Sequence, residues 1–254
     1  MPEGHTIHKL ARDLARDLAG SRVEAISPQG RFAEGAARID GKLLKATDAW
    51  GKHLFLEFAR TRVHIHLGLF GRFRRRRRPT SAPRDTTRLR LAGPKWTWDL
   101  SGPTCCEVLS AAGRKDLLSR LGDDPLRAEC DGARFVEAAA ASRRAIGAML
   151  LDQRVIAGVG NVYRAELLFL AGIRPDRPGR SIAEEELAAL WSETVAQLER
   201  GVKLGRIVTT PGEKPKRGER LWVYKRRNCR RCKQEIVRTQ SANRWIWFCP
   251  KCQS

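Results

Sequence analysis

Four cysteines stand in two pairs, Cys229-x2-Cys232 and Cys249-x2-Cys252, with sixteen residues between the pairs. Two CxxC knuckles at such a separation place four thiolates around one tetrahedral Zn2+. A redox pair would need only one knuckle. Because all four positions are protein ligands, the spacing predicts a structural ion and not a catalytic one. In so short a tail, metal binding would supply much of the folding free energy. Between the knuckles, Arg238, Asn243 and Arg244 lie among Thr239, Ser241 and the run Trp245-Ile246-Trp247-Phe248. This reads as a small β-hairpin that projects a guanidinium at phosphates, or as an arginine that merely solvates the knuckle. Composition leaves both open.

A second chemistry sits at the other end, in Met1-Pro2-Glu3-Gly4-His5. Removal of Met1, which the small side chain after it permits, leaves a secondary amine on Pro2. An α-amino group titrates near 7.7–8.0 against about 10.4 for lysine, so roughly several-hundred-fold more of it is unprotonated at pH 7. Such an amine can attack a sugar C1′ and form an iminium, and Glu3 beside it can move protons. Many unrelated chains begin Met-Pro-Glu, so these residues alone leave an ordinary terminus as the alternative. Gly158-Val159-Gly160-Asn161 is a glycine turn leading into a helix, a place where backbone N–H groups and an Asn side chain meet an anion. Many helix pairs are joined by plain glycine turns, so its meaning depends on the rest of the chain. The run Arg74–Arg78 reads as a solvated strand end or as a track for a nucleic-acid backbone. His64 and His66 share one strand face. They read as a packed pair, lacking the further ligands that a second metal site requires.

These residues need elements to position them. After Gly4, the apolar residues Ile7, Leu10, Leu14 and Leu18 recur at helical steps up to Gly20. Short runs punctuated by Gly and Pro follow at 22–26, 41–47, 53–58, 63–67, 88–91 and 96–100, the pattern of an antiparallel sandwich or barrel. From Gly132 the chain turns helical, at 133–141, 143–153, 162–170 and 182–201. Residues 208–220 form a polar, basic loop, and the last 34 residues hold the cysteines and two short strands. The expected division is 1–130, 131–220 and 221–254.

The 49 basic and 28 acidic residues give a net charge of +21. From Arg200 onward there are 16 Lys/Arg and 3 Asp/Glu, so the last fifth is the electrostatic centre. A field of this kind favours a nucleic acid over a membrane surface or a ribosomal neighbour. No apolar stretch of about 18 residues is present, and the start lacks the segments of a signal peptide. Of seven cysteines, Cys105, Cys106 and Cys130 have no partner spacing, which fits a reducing cytoplasm.

Several segments occur together and in order: Pro2-Glu3-Gly4, Gly51-Lys52-His53, His66-Leu67-Gly68-Leu69-Phe70-Gly71, Leu121-Gly122-Asp123-Asp124-Pro125-Leu126, Gly158-Val159-Gly160-Asn161-Val162-Tyr163, and the tail ending Cys249-Pro250-Lys251-Cys252-Gln253. The chain thereby resembles the formamidopyrimidine-DNA glycosylase/endonuclease VIII family over essentially its whole length. It looks closest to endonuclease VIII of the actinobacterial type. The resemblance implies an α+β fold: an N-terminal β-sandwich flanked by helices, a helix-two-turn-helix domain and a C-terminal zinc-finger β-hairpin. It implies excision of oxidised pyrimidines from double-stranded DNA by a monomeric bacterial cytoplasmic enzyme associated with the nucleoid, followed by cutting at the abasic site. In that scheme Pro2 is the nucleophile and Glu3 the acid/base. Lys52, His66, Asn161 and Arg244 hold phosphates, Lys52 and Arg244 closely enough to count with the catalytic set. Leu69 and Phe70 are the wedge that fills the space of the extruded nucleotide. The iminium then permits β-elimination and often δ-elimination, with one structural Zn2+ as the only metal. Thr6 stands where many relatives carry Glu, and Leu69 where the oxidised-purine enzymes carry Met. Oxidised-purine excision, or a catalytically silent damaged-DNA binder, are the alternatives.

Overall fold

The helical spacing of Ile7, Leu14 and Leu18 produces α1 (Gly4–Leu18), and all three side chains are fully buried. The structure, a computed structural model, describes residues 2–212 and 215–254, with Arg217 described by its backbone only. It forms two compact units, Met1–Ser119 and Arg120–Ser254. Met1, and Glu213 and Lys214 of the basic loop, lie outside the described residues.

The first unit is an antiparallel sandwich. One sheet has the order β2-β1-β7-β8-β6, the other β3-β4-β5-β9. The strands are β1 (Arg22–Ile26), β2 (Lys42–Leu43), β3 (Ala46–Trp50), β4 (His53–Glu57), β5 (Arg62–His66), β6 (Arg72–Arg77), β7 (Thr87–Ala92), β8 (Trp96–Ser101) and β9 (Cys105–Val108). Two further helices, α2 (Ala33–Ile39) and α3 (Ala111–Ser119), complete the unit. Alternation sends Leu54, Leu56, Val63 and Ile65 inward to meet Val23, Leu89, Leu91, Trp98 and Leu100, while α1 packs on β3 and β4. At about 25 cal/mol per Å² of apolar surface removed from water, this contact is the main stabilising term.

Two expectations are corrected here. The single run at 41–47 is split between β2 and β3, which belong to different sheets. The backbone changes partners between Leu44, whose N–H reaches Ser21 O, and Lys45, whose N–H reaches Glu57 O. The arginine-rich segment forms strand β6, paired in register with β8 from Arg72↔Ser101 to Arg77↔Trp96.

The second unit is helical with a terminal hairpin: α4 (Ala133–Ala140), α5 (Ile146–Met149), α6 (Asn161–Leu170), α7 (Glu184–Leu204), then β10 (Val237–Ser241) and β11 (Arg244–Phe248). Three glutamates in the first turn of α7 complement its dipole, and Gly205, at φ 66°, closes it in the left-handed conformation. The helix expected over 143–153 shrinks to α5, because tertiary contacts take its backbone donors. Ile146 N–H bonds to Arg177 O and Gly147 N–H to Pro175 O. A Cβ at Gly147 would lie 2.8 Å from Pro175 O, so glycine permits the approach. Phe135, Tyr163, Leu167, Phe169, Leu190 and Leu198 share one core with Ile246 and Cys249, which joins the hairpin to the helices.

Glu166 is fully buried on α6. It accepts the backbone N–H groups of Trp222, Val223 and Tyr224 at 2.7, 2.9 and 2.8 Å, and the Thr209 hydroxyl. Burial nevertheless raises its pKa. Replacing Glu166 with Ala leaves these donors without an acceptor, each worth about 1–3 kcal/mol when buried. The Glu166→Ala variant is expected to lose at least ~3 kcal/mol of stability, and Glu166→Gln to lose less, because its amide oxygen still accepts. Denaturant unfolding followed by tryptophan fluorescence checks this, and an unchanged midpoint for Glu166→Ala would contradict it.

Candidate active site and nucleic-acid interface

In the first unit, Glu3 is the residue that precedes α1. Its backbone is extended, and its carbonyl accepts the Thr6 N–H at 2.8 Å. The Glu3 side chain is fully buried, and Pro2 before it is half-buried. Pro2 and Glu3 are therefore held against the helix that follows them, where the first residues of most chains fray. His5, 3% exposed, is pushed down to about 4 by burial, with the positive chain terminus adding to the effect. Thr6 Oγ1 lies 3.2 Å from His5 Nε2.

Lys52 stands in the two-residue turn Gly51-Lys52 that joins β3 to β4, with Trp50 opposite His53. Gly51 takes φ 55°, a conformation suited to glycine. His66 pairs in register with His53 and is held below the usual histidine range, first by burial and then by the charges of His64 and Lys52. Lys52 and His66 thus form one electrostatic neighbourhood. After β5 the chain turns through Gly68, at φ 64°, and presents Leu69 and Phe70 at 51% and 85% exposure. Phe70 is the most exposed of the large apolar residues described. Sequence reasoning also left β6 undivided. Arg75 turns to Asp17 and stacks on Trp96, whereas Arg72, Arg74 and Arg76 point the other way, lining a pocket of about 210 Å³ with Arg84. Their mutual repulsion, chiefly from Arg72 and then Arg84, lowers the Arg74 pKa.

In the second unit, Gly158 (φ 92°) and extended Gly160 lead into α6. Asn161 Nδ2 donates to Trp245 O at 3.0 Å, and its Oδ1 accepts from Arg164 Nη2 at 2.6 Å. Arg164, fully buried, also donates to the carbonyls of Gly147, Ser241 and Trp245 at 3.2 Å. The glycine turn and the hairpin are one hydrogen-bonded frame. Sequence reasoning missed Arg164 and Glu166; the available signal was two charges in a helix that is otherwise apolar on every side. The hairpin turns through Ala242 and Asn243, both left-handed, which sets Arg244 opposite Ser241 and leaves it exposed. Arg238 stacks 3.7 Å above the Trp245 ring.

The four knuckle cysteines gather with all Sγ atoms within 4.8 Å of one another, Cys229–Cys252 at 4.0 Å and Cys232–Cys249 at 3.4 Å. A tetrahedron of sulfurs about 2.3 Å from a zinc ion has edges near 3.8 Å, so the group fits such an ion. Burial, then the neighbouring sulfurs, push the Cys252 thiol up to about 12. Gln253 secures the second knuckle, accepting Cys249 N–H at 2.9 Å and donating to Ile173 O at 2.8 Å.

Residues 1–99 match the formamidopyrimidine-DNA glycosylase N-terminal domain, and residues 121–211 the H2TH domain of that glycosylase. The chain is 43% identical to Endonuclease 8 1 of Mycobacterium tuberculosis over 100% of both chains. It is 30% identical to the formamidopyrimidine-DNA glycosylase of Serratia proteamaculans, again over 100% of both. Among solved structures it is similar to Lactococcus lactis Fpg in complex with DNA containing an abasic site (TM-score 0.82, 25% identity, 99% of both chains). It is similar in the same way to that protein with DNA containing an oxidised pyrimidine (TM-score 0.82, 26% identity, 99% of both). Sandwich, helical unit and four-cysteine hairpin together define a DNA repair glycosylase. The chain belongs to the formamidopyrimidine-DNA glycosylase/endonuclease VIII family of DNA glycosylases and abasic-site lyases. No helix among the described residues is long and apolar enough to cross a membrane.

His5 gives a pH test. Its folded pKa, about 4, lies below the unfolded value near 6.5. Its contribution to stability is complete above pH 6.5 and is lost as pH falls toward 4. The stability of wild type is expected to fall more steeply over that window than that of His5→Gln. Unfolding curves at pH 7.5, 6 and 5 measure the difference, and parallel slopes would remove His5 from the account.

Proposed function

We propose that this chain removes oxidised pyrimidines from double-stranded DNA and then cuts the strand at the abasic site. The observation that carries the chemistry is the fully buried Glu3 next to Pro2 at the fixed start of α1. With Met1 removed, the Pro2 nitrogen attacks C1′ of the damaged nucleotide. The C1′–base bond breaks, and the base leaves with a proton. Glu3 supplies the proton that opens the deoxyribose at O4′, giving an iminium between Pro2 and C1′. That cation acidifies C2′. Loss of a C2′ proton expels the 3′ phosphate in β-elimination, and a second elimination removes the 5′ phosphate. Lys52 and His66 hold phosphate beside the reacting sugar, Leu69 and Phe70 fill the vacated stack, and Asn161 and Arg244 hold phosphates from the second unit. The four-cysteine site holds one Zn2+, which shapes the Arg244 hairpin and takes no part in the chemistry. By role, the chain divides into 1–130 for chemistry, 131–220 for helix-borne phosphate contacts and 221–254 for the finger.

The full-length 43% identity to an Endonuclease 8 protein favours pyrimidine lesions. The likeness to the Serratia proteamaculans formamidopyrimidine-DNA glycosylase supports an oxidised-purine reading. Borohydride trapping on duplexes bearing thymine glycol, 8-oxoguanine or an abasic site separates them. The expected adduct maps to Pro2 by mass spectrometry and forms fastest, among the base lesions, on thymine glycol. Faster trapping on 8-oxoguanine would select the purine reading, and no adduct on any duplex would leave a silent binder. Glu3→Gln is expected to slow cleavage about 10²–10⁴-fold with DNA affinity kept; equal losses of both would mean a structural role.

Arg244→Ala should weaken DNA binding and flatten the plot of log affinity against log salt by about one unit. An unchanged slope in a fluorescence-anisotropy titration would take Arg244 off the phosphates.

A further inference from the structure

Cross-strand pairing supplies what His64 lacks in the linear sequence. β9 lies beside β5 with His64 opposite Glu107 and His66 opposite Cys105, so these side chains emerge from one face of the four-stranded sheet. His64 Nδ1 is 2.8 Å from Glu107 Oε1 and 3.7 Å from Cys105 Sγ, and the three ligand atoms lie within 4.8 Å of one another. We propose that His64, Cys105 and Glu107 form a second divalent-metal site, for a borderline-soft ion of the Zn2+ class, in the first unit.

Ligands about 2.0–2.3 Å from a zinc ion stand roughly 3–4 Å apart, close to the 2.8 and 3.7 Å that separate His64 Nδ1 from its two neighbours. An imidazole, a thiolate and a carboxylate suit zinc better than magnesium or calcium, which take oxygen ligands alone. The other imidazole nitrogen has its own partner, since His64 Nε2 lies 2.9 Å from His53 Nδ1. A ligating histidine held through its second nitrogen is the usual arrangement at metal sites. On binding, the Nδ1 lone pair goes to the ion, the Nε2 proton is donated to His53 Nδ1, and the Cys105 thiol proton passes to solvent. Glu107 is the exposed member and gives the ion its way in. Three protein ligands leave a fourth position for water. The site shares no residue with the four-cysteine cluster and does not depend on the Pro2 chemistry.

The test is zinc stoichiometry on the full chain, by elemental mass spectrometry after equilibration with micromolar ZnCl2 and gel filtration. Wild type is expected to hold two ions per chain, Cys105→Ser and His64→Gln one, and the neighbouring Cys106→Ser two. Glu107→Gln, a conservative change at an exposed position, is expected to weaken the second ion at least tenfold in a competition titration with a chromophoric chelator. One ion per wild-type chain would overturn the site, as would two ions held equally tightly by Glu107→Gln.

Discussion

If Pro2 carries the nucleophilic amine, as proposed, the residues at the start of the chain must be held still. Ends normally fray, because few contacts offset the conformational entropy of the last residues. Here α1 removes that freedom. Ile7, Ala11, Leu14 and Leu18 lock one helix face into the sandwich, and Glu3, Gly4, His5 and His8 are buried around the first turn. Thr47 Oγ1 adds a bond to Ala11 O from the adjacent strand. A buried carboxyl group and a buried imidazole there cost desolvation energy, and the apolar contacts of the same helix offset that cost. Placement of Pro2 is thus a property of the whole first unit.

The second unit solves a different problem, since a short hairpin cannot hold its shape alone. Arg164 and Glu166, both fully buried on α6, turn to different partners. The cation binds backbone carbonyls of 147, 241 and 245, and the anion binds backbone N–H groups of 222 to 224. Arg164 thereby ties α5 to both strands of the hairpin, while Glu166 fixes loop backbone that has no regular secondary structure to satisfy it. Buried charges are a poor source of net stability but a strict selector of one geometry. The thiol cluster and Gln253 then anchor the far end of the hairpin to the loop after α6.

What could be read from the residues in advance follows from how local each signal is. The steps of Ile7 to Leu18, the alternation around His53 and His64, and the two CxxC pairs are short-range patterns, and each corresponds to an element of the structure. Pro2 and Glu3 carried no such pattern; their chemistry marked them as candidates, and resemblance alone favoured that reading over an ordinary terminus. β6 was hidden because arginine occupies both faces, so polarity does not alternate even though partners do. β9 was hidden because Cys105 and Cys106 resembled leftover thiols, and their meaning depends on strand pairing with His66 and Ile65 some 40 residues away. α5 fell short of its periodic pattern because Arg177 and Pro175 took the backbone donors that would have extended it.

The charge of +21 divides by the same logic. Arg75 answers Asp17, Arg78 answers Glu24, and Arg90 makes a two-pronged bond to its register partner Asp99. These guanidinia serve the sandwich. Arg72, Arg74, Arg76 and Arg84 are instead gathered around a pocket that contains one carboxylate, Asp99, already engaged by Arg90. Like charges held together in this way oppose folding, and the opposition falls when a polyanion supplies the missing negative charge. A polyanion seated there would relieve that repulsion and would release counterions of its own. A chain optimised for stability alone would have dispersed these arginines. Their alignment on one face of β6 concentrates positive charge that the one carboxylate nearby, held by Arg90, does not balance.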